Sequence, residues 1–323
     1  MELKIGNLIL PSNVIVAPLA GYTNKVYREI MHNAKAGMVC CEMVSAKGLL
    51  YENKKTIEML EVGDEGICSM QLFGSDASEL AKAAMILDKE TKCDIIDINM
   101  GCPVRKVIAT GAGSALLKDP KKLEEMFKVI CKHSPIPVTA KIRLGWNEQT
   151  INFKENIKAL ENAGIAAIGL HARTTRAGYA GKPRWDLCKN LRDEMSVPLI
   201  VSGDIYDISD AKKALEITHA DAIMVARGGV GNPKLIERLH YYFEGKGELP
   251  YQTKKESKEN LLKFANMLIE EKGEYSAMMV LRGIAPKFFL NQPDTKKLRS
   301  KLASALTTKE SLIRILDEIE EEK

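Results

Sequence analysis

Eight times before residue 246, a short apolar run rich in β-branched residues gives way to a polar loop and an amphipathic stretch. The runs lie at 14–18, 38–44, 68–73, 95–100, 138–144, 167–172, 199–202 and 222–226. Most are apolar on both faces, the signature of a parallel sheet covered by helices. Helices are expected at 75–90, 120–133, 151–163, 209–219 and 233–243. Ser75 and Asp76 stand where N-caps belong, and Asp119-Pro120 combines a cap with proline at the first helical position. Gly164 stops the third. Eight such alternations specify a (β/α)8 TIM barrel over residues 1–246. A doubly wound open sheet is the alternative, but the Gly-x-Gly-x-x-Gly turn it usually carries after its first strand is absent. The chain's 323 residues leave room for one barrel and a small appendage.

Past residue 250 the strand-like runs cease. Helical periodicity takes over at 257–271, 276–290 and 295–316, predicting a small C-terminal helical domain over 251–323. Residues 251–301 carry 11 Lys/Arg against 6 Asp/Glu, whereas 302–323 carry 3 against 6. A solvated helical surface accounts for such charge by itself, and the net charge of +4 permits nucleic-acid binding without requiring it. No apolar run approaches a membrane span, and no basic segment followed by an apolar one opens the chain, so a cytoplasmic protein is expected. The seven cysteines are odd in number and form no Cys-x-x-Cys pair, which argues against disulfides and against a bound metal.

In such barrels the active site forms at the C-terminal strand ends. Those ends are unusually polar. They carry Glu42, Gln71, Asn99, Lys141, Arg143, His171, Arg173, Ser202 and Asp204, and the glycine-rich turns after the last two strands hold Gly203, Arg227 and Gly228. One buried Lys or His is often satisfied structurally. Polar groups closing nearly every strand are better explained by a ligand, and glycine-rich turns with an arginine suit a phosphate.

These residues resemble the tRNA dihydrouridine synthases, the bacterial B-type in particular. The resemblance runs through Ala-Pro-Leu-Ala-Gly-Tyr-Thr-Asn (17–24), Asp-Ile-Asn-Met-Gly-Cys-Pro (97–103), Ala-Gly-Ser-Ala-Leu-Leu (112–117), Lys-Ile-Arg-Leu-Gly-Trp (141–146), Leu-His-Ala-Arg-Thr-Thr-Arg (170–176) and Ser-Gly-Asp-Ile (202–205). It implies FMN as cofactor, NADPH as reductant and a uridine of the tRNA D-loop as substrate, reduced across C5–C6 by a monomer that grips the tRNA elbow. Carried over, Pro18, Leu19, Ala20, Gln71, Lys141 and His171 would contact the flavin. Ser202, Gly203, Asp204, Ala226 and Arg227 would form its phosphate end. Leu19, Ser202 and Ala226 stand where the family usually has Met, Asn and Gly. In the tail, Arg282 matches the start of an Arg-Lys-His stretch, with Gly283 and Ile284 replacing the rest.

Uracil reduction needs a hydride at C6 and a proton at C5. The hydride would come from flavin N5, and Cys102 is the expected proton donor, arriving as the thiol. As an alternative, Cys102 is merely a small residue in a tight Gly-Cys-Pro turn. Lys141 would stabilise the charge of reduced flavin. Asn99 and Arg143 would meet the uracil edge, and Arg173, Arg176 and Arg282 the RNA. Three rivals share parts of this pattern: a flavin barrel acting on a free pyrimidine, a lyase using Lys141 as a Schiff base, and a non-catalytic RNA-binding protein.

Overall fold

The computed structural model describes residues 2–290 and 292–321; Met1, Asn291, Glu322 and Lys323, which the expected domains include, lie outside them. The chain divides into two compact units, Met1–Ala226 and Arg227–Lys323.

The first unit opens with an antiparallel hairpin of β1 (Leu3–Ile5) and β2 (Leu8–Leu10). Eight strands follow: β3 (Val14–Val16), β4 (Met38–Ser45), β5 (Cys68–Phe73), β6 (Ile95–Met100), β7 (Val138–Arg143), β8 (Ala167–His171), β9 (Leu199–Ser202) and β10 (Ala222–Val225). Each pairs in parallel with the next, and β10 closes on β3 with Ile223 opposite Val14. This is the TIM barrel that the alternating pattern specifies.

Helices α1 (Lys25–Asn33), α2 (Ala46–Leu50), α3 (Lys54–Ile57), α4 (Ala77–Glu90), α5 (Arg105–Ile108), α6 (Pro120–His133), α7 (Phe153–Asn162) and α8 (Ile208–Thr218) connect the strands. The caps explain where they start. The Asp76 side chain accepts from the Glu79 N–H at the head of α4, and Asp119 accepts from Lys122 with Pro120 at the start of α6. Between β8 and β9 the alternation lapses. Two 3-10 turns, Trp185–Cys188 and Leu191–Glu194, stand there, separated by Asn190 in the left-handed region.

The hairpin escapes periodicity because its strands have three residues each. Its Leu3, Ile5 and Leu10 are buried against Met38, Ile95, Ala167, Ile200 and Ala222, all at or near the starts of barrel strands. It therefore plugs the N-terminal end of the barrel.

The second unit contains α9 (Pro233–Phe243), α10 (Lys254–Lys272), α11 (Glu274–Ile284), α12 (Lys296–Ser304) and α13 (Lys309–Glu321), and no strand among its described residues. Helix α9, which the sequence pattern groups with the barrel, belongs to this unit. A capping box of Thr253 and Glu256 starts α10. Two expected helices are interrupted. The stretch 276–290 becomes a 3-10 turn after Ile284, where Pro286 removes a backbone donor. The stretch 295–316 breaks into α12 and α13, and Arg282 Nε donates to the Leu306 carbonyl at the break, 2.7 Å away. Leu261, Phe264, Leu268, Leu281, Phe289, Leu302 and Leu312 form its buried interior. Among the described residues no helix is long and apolar enough to cross a membrane.

Under α1 lies a buried ion pair, Arg28 Nε to Glu65 Oε1 at 2.7 Å, with both side chains at most 3% exposed. Arg28 also donates to the Thr23 and Glu61 carbonyls, so it holds the loop that leaves β3. Removing one partner strands the other charge. Arg28→Ala should cost about 3–5 kcal/mol in urea unfolding. The Arg28→Ala/Glu65→Ala double variant should cost less than the two singles together.

Candidate active site

Inward-facing positions on neighbouring strands share one parity. Gln71 stands opposite Asp97, Asn99 opposite Lys141, and Arg143 opposite His171, which pairs with Ser202. Register thus gathers Gln71, Asn99, Lys141, Arg143, His171 and Ser202 at the C-terminal ends of five adjacent strands.

Cys102 follows β6 and is half-exposed, unlike the buried Cys40, Cys41, Cys68, Cys93 and Cys188. Its backbone is fixed on both sides. The Asn99 Oδ1 accepts from the Cys102 N–H at 3.0 Å and from Gly101 at 3.3 Å. The Ser114 hydroxyl donates to the Cys102 carbonyl at 2.9 Å. Gly113 presses from the same side: at φ +61°, a Cβ there would lie 3.1 Å from the Cys102 carbonyl oxygen and 3.0 Å from Val107.

Lys141 is half-buried and makes no hydrogen bond or ion pair among the described residues. Burial, with Arg143 beside it, pulls its pKa down to about 8, against the opposing pull of Asp97, Cys40 and Cys102. Loss of solvent alone would favour a neutral amine. A cation held this way at the strand ends is matched to an anionic or electron-rich ligand.

The arginines of the neighbouring loops have structural work. Arg143 is 2% exposed; it donates to the carbonyls of Gly101 at 2.7 Å, Thr174 at 3.0 Å and Gly178 at 2.7 Å. It thereby ties the turn carrying Cys102 to the loop after β8. Arg173, also 2% exposed, binds Asp204 at 2.5 and 3.2 Å and the carbonyls of Ala180 and Gly181. Its Nη1 lies 3.1 Å from His171 Nε2. Arg176 places its guanidinium over the Trp146 ring, 5.8 Å from the centroid.

Pro18, Leu19 and Ala20 occupy the loop after β3. The Leu19 N–H donates to the Thr23 hydroxyl at 3.1 Å, and Glu42, within β4 at its register shift, accepts from the Gly21 N–H at 2.6 Å. Gly203 follows β9 at φ +127°, where a Cβ would stand 3.2 Å from the His171 ring and 3.0 Å from Pro183. Ala226 ends the first unit; Arg227 and Arg282 belong to the second. The sequence pattern puts Asp97 at the fourth strand end without a role and does not single out Thr139; the barrel places both behind Gln71. Their signal was parity, since 97 and 99, like 139 and 141, fall on one strand face. Among the described residues no group of three or more His, Cys, Asp or Glu side chains could hold a metal ion.

The depressed Lys141 pKa has a thermodynamic signature. The folded protein sheds this proton near pH 8, while the unfolded chain keeps it to about 10.4. Between those values the unfolded chain binds more protons, so stability rises with pH. The ligand-free protein should gain Tm relative to Lys141→Met as pH goes from about 8 to about 10. A constant difference between the two would contradict the depressed titration. Gly113→Ala should destabilise the fold by about 1 kcal/mol or more, read by thermal melting, because φ there is positive and Cys102 leaves no room.

Residues 15–323 match the family described as Dihydrouridine synthase (Dus). The tRNA-dihydrouridine synthase B of Vibrio parahaemolyticus is 39% identical over 281 residues, covering 87% of each chain. A probable tRNA-dihydrouridine synthase of Rickettsia bellii is 33% identical over 282 residues, covering 87% of this chain and 86% of that one. Among solved structures, the old yellow enzyme homologue from Zymomonas mobilis superposes with a TM-score of 0.52 at 14% identity, over 79% of this chain and 95% of that one, a likeness of fold. With nearly the whole sequence matched, barrel and helical unit alike, the chain belongs to the dihydrouridine synthase family.

Proposed function

We propose that this protein reduces the C5–C6 double bond of uridine in the tRNA D-loop, with FMN held at the strand ends and NADPH as electron donor. The family supplies the reaction class, an oxidoreductase step on uridine in tRNA. The observation that carries the detailed reading is Cys102: a half-exposed thiol on a turn locked by Asn99 and Ser114, next to the strand that bears Lys141.

The residues present fit a flavin. Lys141 is a cation without a partner among the described residues, suited to the pyrimidine edge where reduction builds negative charge. Gln71 lies two strands away on β5, and His171 lies on the neighbouring β8, opposite Arg143. Pro18, Leu19 and Ala20 would line the ring system. Ser202 would offer the phosphate end a hydroxyl and Gly203 a backbone N–H, and the carboxylate of Asp204 is already neutralised by Arg173. When bound, the flavin supplies the hydride that no side chain can.

Cys102 then gives its proton to C5 of the base, which must leave the RNA stack to reach the strand ends. Asn99 contributes mainly by holding the Cys102 N–H. Arg143 and Arg173 contribute by clamping the loops around the base, since their donors are largely engaged by carbonyls and Asp204. Helix α12 of the second unit, with four basic residues and no acidic one, would bind phosphates with an affinity that falls as salt rises.

The low pKa of Lys141 gives the Schiff-base reading one supporting fact. That reading expects a colourless protein that borohydride traps with a carbonyl substrate. The flavin reading expects a yellow protein whose visible bands bleach with NADPH and return, without oxygen, only on addition of tRNA lacking dihydrouridine. Cys102→Ala should keep flavin and tRNA binding while losing roughly 100-fold or more in turnover. Near-normal turnover in that variant would remove Cys102 from the chemistry.

A further inference from the structure

A continuous hydrogen-bonded line crosses β5, β6 and β7 behind the site. The Cys102 N–H donates to Asn99 Oδ1 at 3.0 Å, and Asn99 Nδ2 donates to Gln71 Oε1 at 2.7 Å. Gln71 Nε2 then donates to Asp97 Oδ2 at 2.6 Å, and Thr139 donates to Asp97 Oδ1 at 2.7 Å. The four side chains are 1–7% exposed, so water does not offer them substitutes.

Every bond from Cys102 inward points the same way, toward Asp97. A terminal amide could in principle be turned over, exchanging its donor and acceptor ends. Here neither can turn without cost. The backbone N–H groups at one end are only donors, and the carboxylate at the other is only an acceptor. Without an acceptor at position 97, Gln71 Nε2 would face a dry wall. Gln71 would swing out of the line, Asn99 would lose its partner, and the Gly101–Cys102 turn would lose its fixed anchor.

We propose that Asp97 is a positioning residue: by ending this line as an acceptor it sets the polarity of the Gln71 and Asn99 amides, and through them the placing of Cys102 and the presentation of Gln71 to the cofactor. This rests on the function proposed above. A different role is available to a buried carboxylate here, namely its charge acting on Lys141. The two roles separate in Asp97→Asn. An asparagine can still turn its oxygen to Gln71 and its nitrogen to the Thr139 hydroxyl, which accepts as readily as it donates. Polarity survives in that variant, whereas charge does not.

The test uses the flavin-loaded enzyme in three forms, wild type, Asp97→Asn and Asp97→Ala, with unmodified tRNA. Single-turnover flavin reoxidation, KM for tRNA and FMN affinity by fluorescence titration are measured on each. Asp97→Asn should reoxidise within about threefold of wild type, whereas Asp97→Ala should be roughly 10- to 100-fold slower. KM for tRNA should stay constant, and FMN affinity should weaken in Asp97→Ala alone. Should the cavity unfold the barrel, Asp97→Leu fills the volume without an acceptor and carries the same expectation. If Asp97→Asn is as slow as Asp97→Ala, the charge is what matters and the proposal falls. If Asp97→Ala matches wild type in both rate and FMN affinity, it falls as well. A wild-type enzyme that takes up FMN but is not reoxidised by tRNA would instead overturn the assigned substrate.

Discussion

The closure of β10 on β3 governs everything else in the first unit. The Ala17 N–H donates to the Val225 carbonyl at 2.9 Å, and Ile223, Met224 and Val225 pair with Val14, Ile15 and Val16. A closed ring has no free edge, so its strands pair on both sides, with one register shift between β4 and β5 at Cys40/Met43. It also fixes which residues face inward, because a slip by one position would send the whole set to the other face. The gathering of Gln71, Asn99, Lys141, Arg143 and His171 follows from that register rather than from any local motif.

Inside such a ring, polar side chains are tolerated only when they satisfy one another. The structure meets this in two layers. Lower down, Thr139, Asp97, Gln71 and Asn99 form a line in which each donor has an acceptor. Nearer the rim, Arg143 and Arg173 spend their donors on carbonyls of the loops above. Burying a guanidinium is costly without such partners. With them, each arginine converts two flexible loops into a fixed collar. Lys141 is the exception: it stands at the centre of this arrangement with no ion-pair partner among the described residues, and burial lowers its affinity for its proton.

The sequence made the barrel legible because strands β4 to β8 carry enough apolar residues for a periodic signal, and because Asp76 and Asp119 mark helix starts. The candidate site was legible at the level of residue types at strand ends. What stayed hidden depended on contacts between distant positions. Arg173 and Asp204 are 31 residues apart, and nothing in either neighbourhood announces their pairing. The hairpin of Leu3–Ile5 and Leu8–Leu10 is too short for any period to register. The break between α12 and α13 falls at Thr307 and Thr308, poor helix formers, where the Thr308 hydroxyl caps α13 by accepting from the Ser311 N–H at 3.1 Å and Arg282 binds the Leu306 carbonyl.

The hairpin that fills the bottom of the barrel has one more effect. A ring stoppered at its lower end has a single doorway, at the rim where the polar residues gather. Under the proposed function, a reductant and a bulky RNA that both need the same few strand ends would take turns there, with electrons stored in the interval. A barrel stoppered in this way is suited to a resident carrier that accepts charge from one visitor and surrenders it to the next.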